Sequence, residues 1–253
     1  MRALLSALYS ACVYVFFLVT FLYAIGFVEA VLVPKNIDSG SVGGLIPSLA
    51  IDAALLGLFA VQHSVMARPA FKRAWTRIVP EEAERSTFVL FASLILALVM
   101  WQWRPLPATV WSLDDRPVAL AILAVSWAGW ALLLASTFLI SHFHLFGLTQ
   151  GFGRLLRRGP PEMSFVTPLF YRWVRHPLYV GFILAFWAAP RMSLGHLVFA
   201  VATTGYILIG IWFEERDLVA HFGERYLSYR ANVGMLFPKL RGVAGSQSAR
   251  GQP

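Results

Sequence analysis

The chain has 253 residues, of which 58% are hydrophobic and only 13% charged, with 21 Lys and Arg against 13 Asp and Glu. A water-soluble domain carries about a quarter charged residues, so this composition and a mean hydropathy of +0.66 exclude one and point to lipid on most of the surface. The net charge of +8 sits in short loops between apolar runs. That pattern fits orientation and contact with lipid headgroups rather than tracking of a phosphate backbone, so no nucleic-acid partner is expected.

Residues 8–28 form the first predicted span, too long for a signal-peptide core and followed by no small-residue cleavage pattern, hence a retained helix. It holds Cys12, the single cysteine, which leaves no disulfide framework and no multi-cysteine metal site. Residues 46–66 form the second span, interrupted by Asp52, Gln62 and His63. Residues 87–103 form the third, ending in Trp101 and Trp103, and residues 118–140 the fourth. Each has about the length needed to cross a hydrocarbon core of about 30 Å. His142 and His144 follow as an H-x-H pair whose side chains leave a helix on different faces, so no metal is expected there.

Residues 141–176 are aromatic, basic and glycine-containing, with Gly151-Phe152-Gly153 and Arg157-Arg158-Gly159-Pro160-Pro161, and read as a cytoplasmic cap over the site. Gly151-x-Gly153 follows a helix, not a strand, so it is no dinucleotide fingerprint. Residues 178–189 would rise only about 18 Å as a helix. Pro190 breaks that run, and residues 194–213 return at full length, giving a helical hairpin with a short first arm. The fold expected is an all-α integral membrane protein of about six segments, one domain over residues 1–241. The Gly-, Ser- and Gln-bearing tail, 242–253, is expected to be disordered. Seventeen of the 21 basic residues fall on one side of this topology. The positive-inside rule therefore places both termini, and both feet of the hairpin, in the cytoplasm.

Those feet carry the chemistry. Arg175-His176-Pro177-Leu178-Tyr179-Val180-Gly181 precedes the hairpin, and Glu214-Glu215-Arg216-Asp217 follows it. Ionisable groups facing each other at a membrane boundary are a functional-site hypothesis. Pro177 suits the first turn of a helix, which places Arg175 and His176 at an N-terminus that favours an anion. Arg175 can add a bidentate fork, Tyr179 lies half a turn inside, and Gly181 permits close approach of a backbone or ligand. Glu214 and Glu215 can accept from an ammonium group or ribose hydroxyls. Such a pairing suits a zwitterion such as S-adenosyl-L-methionine. A salt-bridge cluster that merely ties the hairpin together is the alternative the residues leave open.

These motifs, with Glu214-Glu215, Phe222-Gly223-Glu224-Arg225-Tyr226-Leu227-Ser228-Tyr229 and Leu236-Phe237-Pro238, resemble the isoprenylcysteine carboxyl methyltransferase and phospholipid methyltransferase superfamily. The stretch Phe59-Ala60-Val61-Gln62-His63-Ser64-Val65-Met66-Ala67-Arg68 and Glu84-Arg85-Ser86 resemble its nurim branch, and the whole chain is similar to the bacterial methanethiol S-methyltransferases of that branch. The resemblance implies an enzyme of the bacterial inner membrane that moves a methyl group from S-adenosyl-L-methionine to a small volatile thiol. It places Arg175, His176, Tyr179, Gly181, Glu214 and Glu215 at the cofactor. A thiol reacts as its thiolate, and His63, His142 and His144 are the candidate catalytic groups; the residues alone do not choose among them. An isoprenyl or lipid acceptor, another thiol, or a non-enzymatic membrane role linked to nitrogen-oxide metabolism are the alternatives.

Overall fold

The computed structural model describes residues 1–157 and 165–239. Its order is α1 (Arg2–Glu29), α2 (Leu45–Ala67), α3 (Pro69–Trp75), α4 (Glu81–Gln102), β1 (Thr109–Ser112), α5 (Arg116–Ile140), α6 (His142–Leu145) and α7 (Leu148–Gly153). A 3-10 turn (Leu169–Arg172), α8 (Pro177–Trp187), β2 (Arg191–Ser193), α9 (Leu194–Phe222) and α10 (Glu224–Asn232) complete it. Helices α1, α2, α4, α5 and α9 are long and apolar enough to cross a membrane, and α8 is the shorter apolar arm. The protein is an all-α integral membrane protein of about six spans.

The bundle is arranged as lipid demands. Leu4, Leu8, Val15 and Leu22 of α1 face outward, while Ser10, Ser86, Ser126, Ser136 and Thr137 are buried. Lipid tails supply no hydrophobic drive between helices, so small residues and interhelical hydrogen bonds take over. Helices α5 and α8 make the tightest contact. A Cβ added at Gly129 would lie 2.7 Å from the Ala185 amide nitrogen and the Gly181 carbonyl, and one at Gly181 would lie 2.7 Å from the Gly129 carbonyl. Around this contact the aromatic core gathers Phe27, Trp103, Trp130, Phe186 and Phe199.

Two features differ from the sequence expectation. Helix α9 continues beyond Phe213 to Phe222, so Glu214 and Glu215 lie within the helix, because its backbone ladder does not stop where apolarity does. β1 pairs antiparallel with β2, Thr109 opposite Ser193, closing the end of the bundle away from the basic loops. Asp52 on α2 is fully buried at that end, where one carboxylate oxygen accepts the Arg104 amide at 2.9 Å.

The connection after α5 divides in two. Its first half wedges against α1 and α4. There Gly147 (φ +87°) and Gly151 sit so close to Ser86 and Ser10 that a Cβ on either would collide. Its second half, from Phe165, runs to α10. Arg158 and residues 159–161 of the basic run, Arg241, Arg250 and the tail 242–253 lie outside the described residues.

The α5–α8 contact gives a stability test. Gly129→Ala forces two backbones apart and should cost about 1–3 kcal/mol, the range for overpacking, read as a lower thermal midpoint in detergent. Gly205→Ala on α9, where an added Cβ meets nothing within 4 Å, should leave the midpoint unchanged or slightly raised.

Candidate active site

Pro177 opens α8, and the residues before it are held by chain that follows α10. Val174 bridges to Gly234, the Arg175 amide donates to the Gly234 carbonyl at 2.8 Å, and the His176 amide donates to Met235 at 3.2 Å. The hairpin's foot is thus stitched to residues nearly 60 positions downstream. Gly223, at φ +55° between α9 and α10, makes the reversal that brings them back.

The side chains converge on Glu215. Arg175 Nε donates to Glu215 Oε1 at 2.6 Å, and His176 Nε2 donates to the same oxygen at 3.0 Å. Arg175 Nη1 also donates to the carbonyls of Val233 at 2.5 Å and Arg230 at 3.3 Å. Arg230 Nη1 stands 3.9 Å from the other Glu215 oxygen. Arg175, expected to present a fork to an anionic ligand, has its Nε and Nη1 engaged within the protein, where they tie α9 and residues 230–233 to the foot of α8. Gly181 does not line the site, because it faces α5, where its missing side chain lets the helices touch.

Glu214, one residue earlier, is different. Its side chain is 45% exposed and accepts from Tyr179 Oη at 3.0 Å. Around it stand phenols that were not among the expected cofactor residues. Tyr171 Oη and Tyr226 Oη are buried and have no hydrogen-bond partner among the described residues. Burial first, then the nearby carboxylates, raises the pKa of both, so they keep their protons and remain donors. Tyr229 is pushed up to about 12, chiefly by burial, and donates to the Tyr171 carbonyl at 2.5 Å. Phe165 packs on Phe222, Tyr226 and Tyr229, with Arg225 over its ring. The third motif therefore forms the wall behind the first two. Its advance signal was its place in the family resemblance, which gave no role to the individual tyrosines.

This donor set fits S-adenosyl-L-methionine. Glu214 offers a solvent-reachable carboxylate to an ammonium or hydroxyl donor, and two orphaned phenols await an acceptor.

The three histidines are placed apart. His142 is buried with both ring nitrogens engaged, Nε2 with Tyr14 Oη and Nδ1 with Thr137 Oγ1, each at 2.8 Å, and its ring stacks on Phe138. It is a packing hub with no nitrogen left for a reacting thiol. His144 accepts from Gln150 Nε2 at 3.1 Å through Nδ1. His63 lies between α2, α4 and α9 against Phe59, Phe88 and Tyr206, and no hydrogen bond is made by either nitrogen among the described residues.

The sequence is 52% identical over 239 residues to methanethiol S-methyltransferase 1 of Bradyrhizobium diazoefficiens, covering 94% of this chain and 84% of that one. It is 51% identical to the methanethiol S-methyltransferase of Mycobacterium tuberculosis, covering 94% and 98%. The chain belongs to the methanethiol S-methyltransferase family. Mouse nurim is a more distant relative, 31% identical over 69% of each chain. No family model and no solved structure matches the chain.

Two outcomes follow for the fold around the site. Glu215→Ala leaves Arg175 and His176 buried without their counter-charge and should destabilise by about 3–5 kcal/mol, read by thermal unfolding in detergent, whereas Glu214→Gln at its exposed position should change stability by less than about 1 kcal/mol. Burial lowers the pKa of His142 and His144, with Arg85 and Lys72 adding to the effect on His144. Folding then favours their neutral forms, so this contribution is complete above the unfolded-state pKa of about 6.5 and is lost as pH falls below it. The thermal midpoint should drop between pH 7 and 5, and less steeply in His144→Asn.

Proposed function

We propose that this protein is an S-adenosyl-L-methionine-dependent methyltransferase that methylates methanethiol to dimethyl sulfide at a cytoplasm-facing site in a bacterial inner membrane. The observation that carries this reading is the exposed Glu214 carboxylate flanked by the unpartnered hydroxyls of Tyr171 and Tyr226, in a chain half identical along its length to proteins of that name. The basic bias of this end of the bundle supports its cytoplasmic placement. An isoprenyl or phospholipid acceptor finds less support, since the similar enzymes are named for a small thiol.

When bound, the methyl donor supplies an electrophilic carbon on a sulfonium, open to in-line displacement. Glu214 holds its ammonium or ribose hydroxyls, and Tyr171 and Tyr226 donate to its acceptor atoms. Glu215, Arg175 and His176 hold the foot of α8 so that Tyr179 stays on Glu214. The aromatic wall of Phe165, Phe222 and Tyr226 excludes water and offers π-faces to a sulfonium. Catalysis of this kind rests on orientation.

A host lacking the activity, given methanethiol and expressing this chain, should release dimethyl sulfide into the headspace; membranes that hold the protein but release none above the empty-vector control would overturn the reading. Glu214→Ala should weaken binding of S-adenosyl-L-methionine about tenfold or more by calorimetry, the loss expected for a charge-assisted contact.

A further inference from the structure

Arg85 is a cation in an apolar bundle with no carboxylate paired to it among the described residues. Its Nε donates to the Leu145 carbonyl at 2.7 Å, and its guanidinium lies 4.8 Å from the centre of the Phe88 ring. Neither Nη group has a partner among the described residues. The same Phe88 ring also meets His63, 4.9 Å away between centroids. A guanidinium with both Nη groups unpartnered and an imidazole with no hydrogen bond among the described residues therefore meet the same Phe88 ring, and Phe59 and Tyr206 flank the imidazole.

Helix α9 links this aromatic box to the foot of the hairpin. Tyr206, Gly210 and Glu214 recur every four residues and so form one stripe along α9. Tyr206 meets Ser64 on α2 at 3.1 Å, an added Cβ at Gly210 would lie 4.0 Å from Tyr179 Oη, and Glu214 accepts from Tyr179. Ionisable side chains held inside a membrane bundle mark a functional path, and this stripe joins the His63 box to the carboxylate assigned above to the methyl donor.

We propose that Arg85 and His63 form the acceptor subsite, Arg85 holding a small thiol as its thiolate and His63 taking the thiol proton. The inference rests on the methyltransferase reading. The S–H bond breaks with its proton passing to an imidazole nitrogen. A sulfur lone pair then forms the new S–CH3 bond, and the electron pair of the old C–S bond stays on the donor's sulfur, which becomes a neutral thioether. A nearby cation favours the thiolate, and Phe59, Phe88 and Tyr206 set aromatic rings around the imidazole that suit an apolar group. Other charged or titratable groups around the box are Glu84 beside Arg85, Lys72 on α3, His144 on α6, and Arg68 on α2, itself paired with Asp217 at 3.4 Å. Tyr9 on α1 is held by Thr87 at 2.9 Å, and Arg154 beyond α7 by Glu82 at 2.9 Å.

The test is the pH dependence of kcat, which reports ionisation in the bound complex, with purified protein, methanethiol and S-adenosyl-L-methionine. Arg85→Met should move the rising limb of the profile upward by about one pH unit or more, with about a tenfold loss near neutrality, while calorimetry finds donor binding unchanged. Arg85→Lys, which keeps the charge, should leave the limb in place. A rate lowered equally at every pH, or a limb unmoved in Arg85→Met, overturns the proposal. An inactive wild type would instead overturn the methyltransferase reading, and lost donor binding in Arg85→Met would make Arg85 a structural residue and refute the subsite.

Discussion

One carboxylate oxygen, Oε1 of Glu215, takes hydrogen bonds from Arg175 and His176 inside an otherwise apolar bundle. Three charged or chargeable groups in a low-dielectric setting are costly unless each is matched, so the cluster holds only if α8, α9 and residues 230–235 arrive together. Arg175 enforces this by also donating to Val233 and Arg230. The neighbouring Glu214 is left outside the cluster, exposed enough to meet a ligand. Adjacent carboxylates on one helix thus divide the work, one anchoring the hairpin and the other facing outward.

The rest of the bundle depends on the absence of side chains as much as on their presence. Gly129 and Gly181 let α5 and α8 touch backbone to backbone, which fixes the short arm at its height. Gly147 and Gly151 do the same for the connection that follows α5, pressing it onto Ser86 and Ser10. These contacts put Leu145, near the start of that connection, where its carbonyl receives Arg85.

The spans were legible because lipid imposes a length and a polarity that a hydropathy reading detects directly. Their ends were not, since α9 carries its hydrogen-bonded ladder through Glu214, Glu215, Arg216 and Asp217, and polarity alone looks like a stop. The pairing of β1 with β2 joins two strands about 80 residues apart and leaves no local pattern. At the site, the residue types at both feet were readable, but the partners of Arg175 were not: a guanidinium at a helix N-terminus looks like an anion receptor until carbonyls 55 and 58 residues downstream claim it. Gly181 was rightly a point of close approach, with a helix as the visitor. The histidines could not be ranked by spacing; their hydrogen bonds separate them, with both nitrogens of His142 committed, one of His144 and neither of His63.

Helix α8 has 11 residues, about 16 Å at 1.5 Å per residue, roughly half of a hydrocarbon core. Its head, Trp187, meets Thr204 partway along α9, and its foot meets Glu215. The extended residues 188–193 therefore supply the rest of the height, and the foot lies about 30 Å along α9 from Leu194. Glu214 and Tyr179 therefore meet where a full-length span ends, at the boundary between water and acyl chains. A reactant confined to water and a reactant that dissolves in oil can each arrive from its own phase, and an uncharged, oil-soluble product can depart sideways without passing the mouth by which the charged one entered.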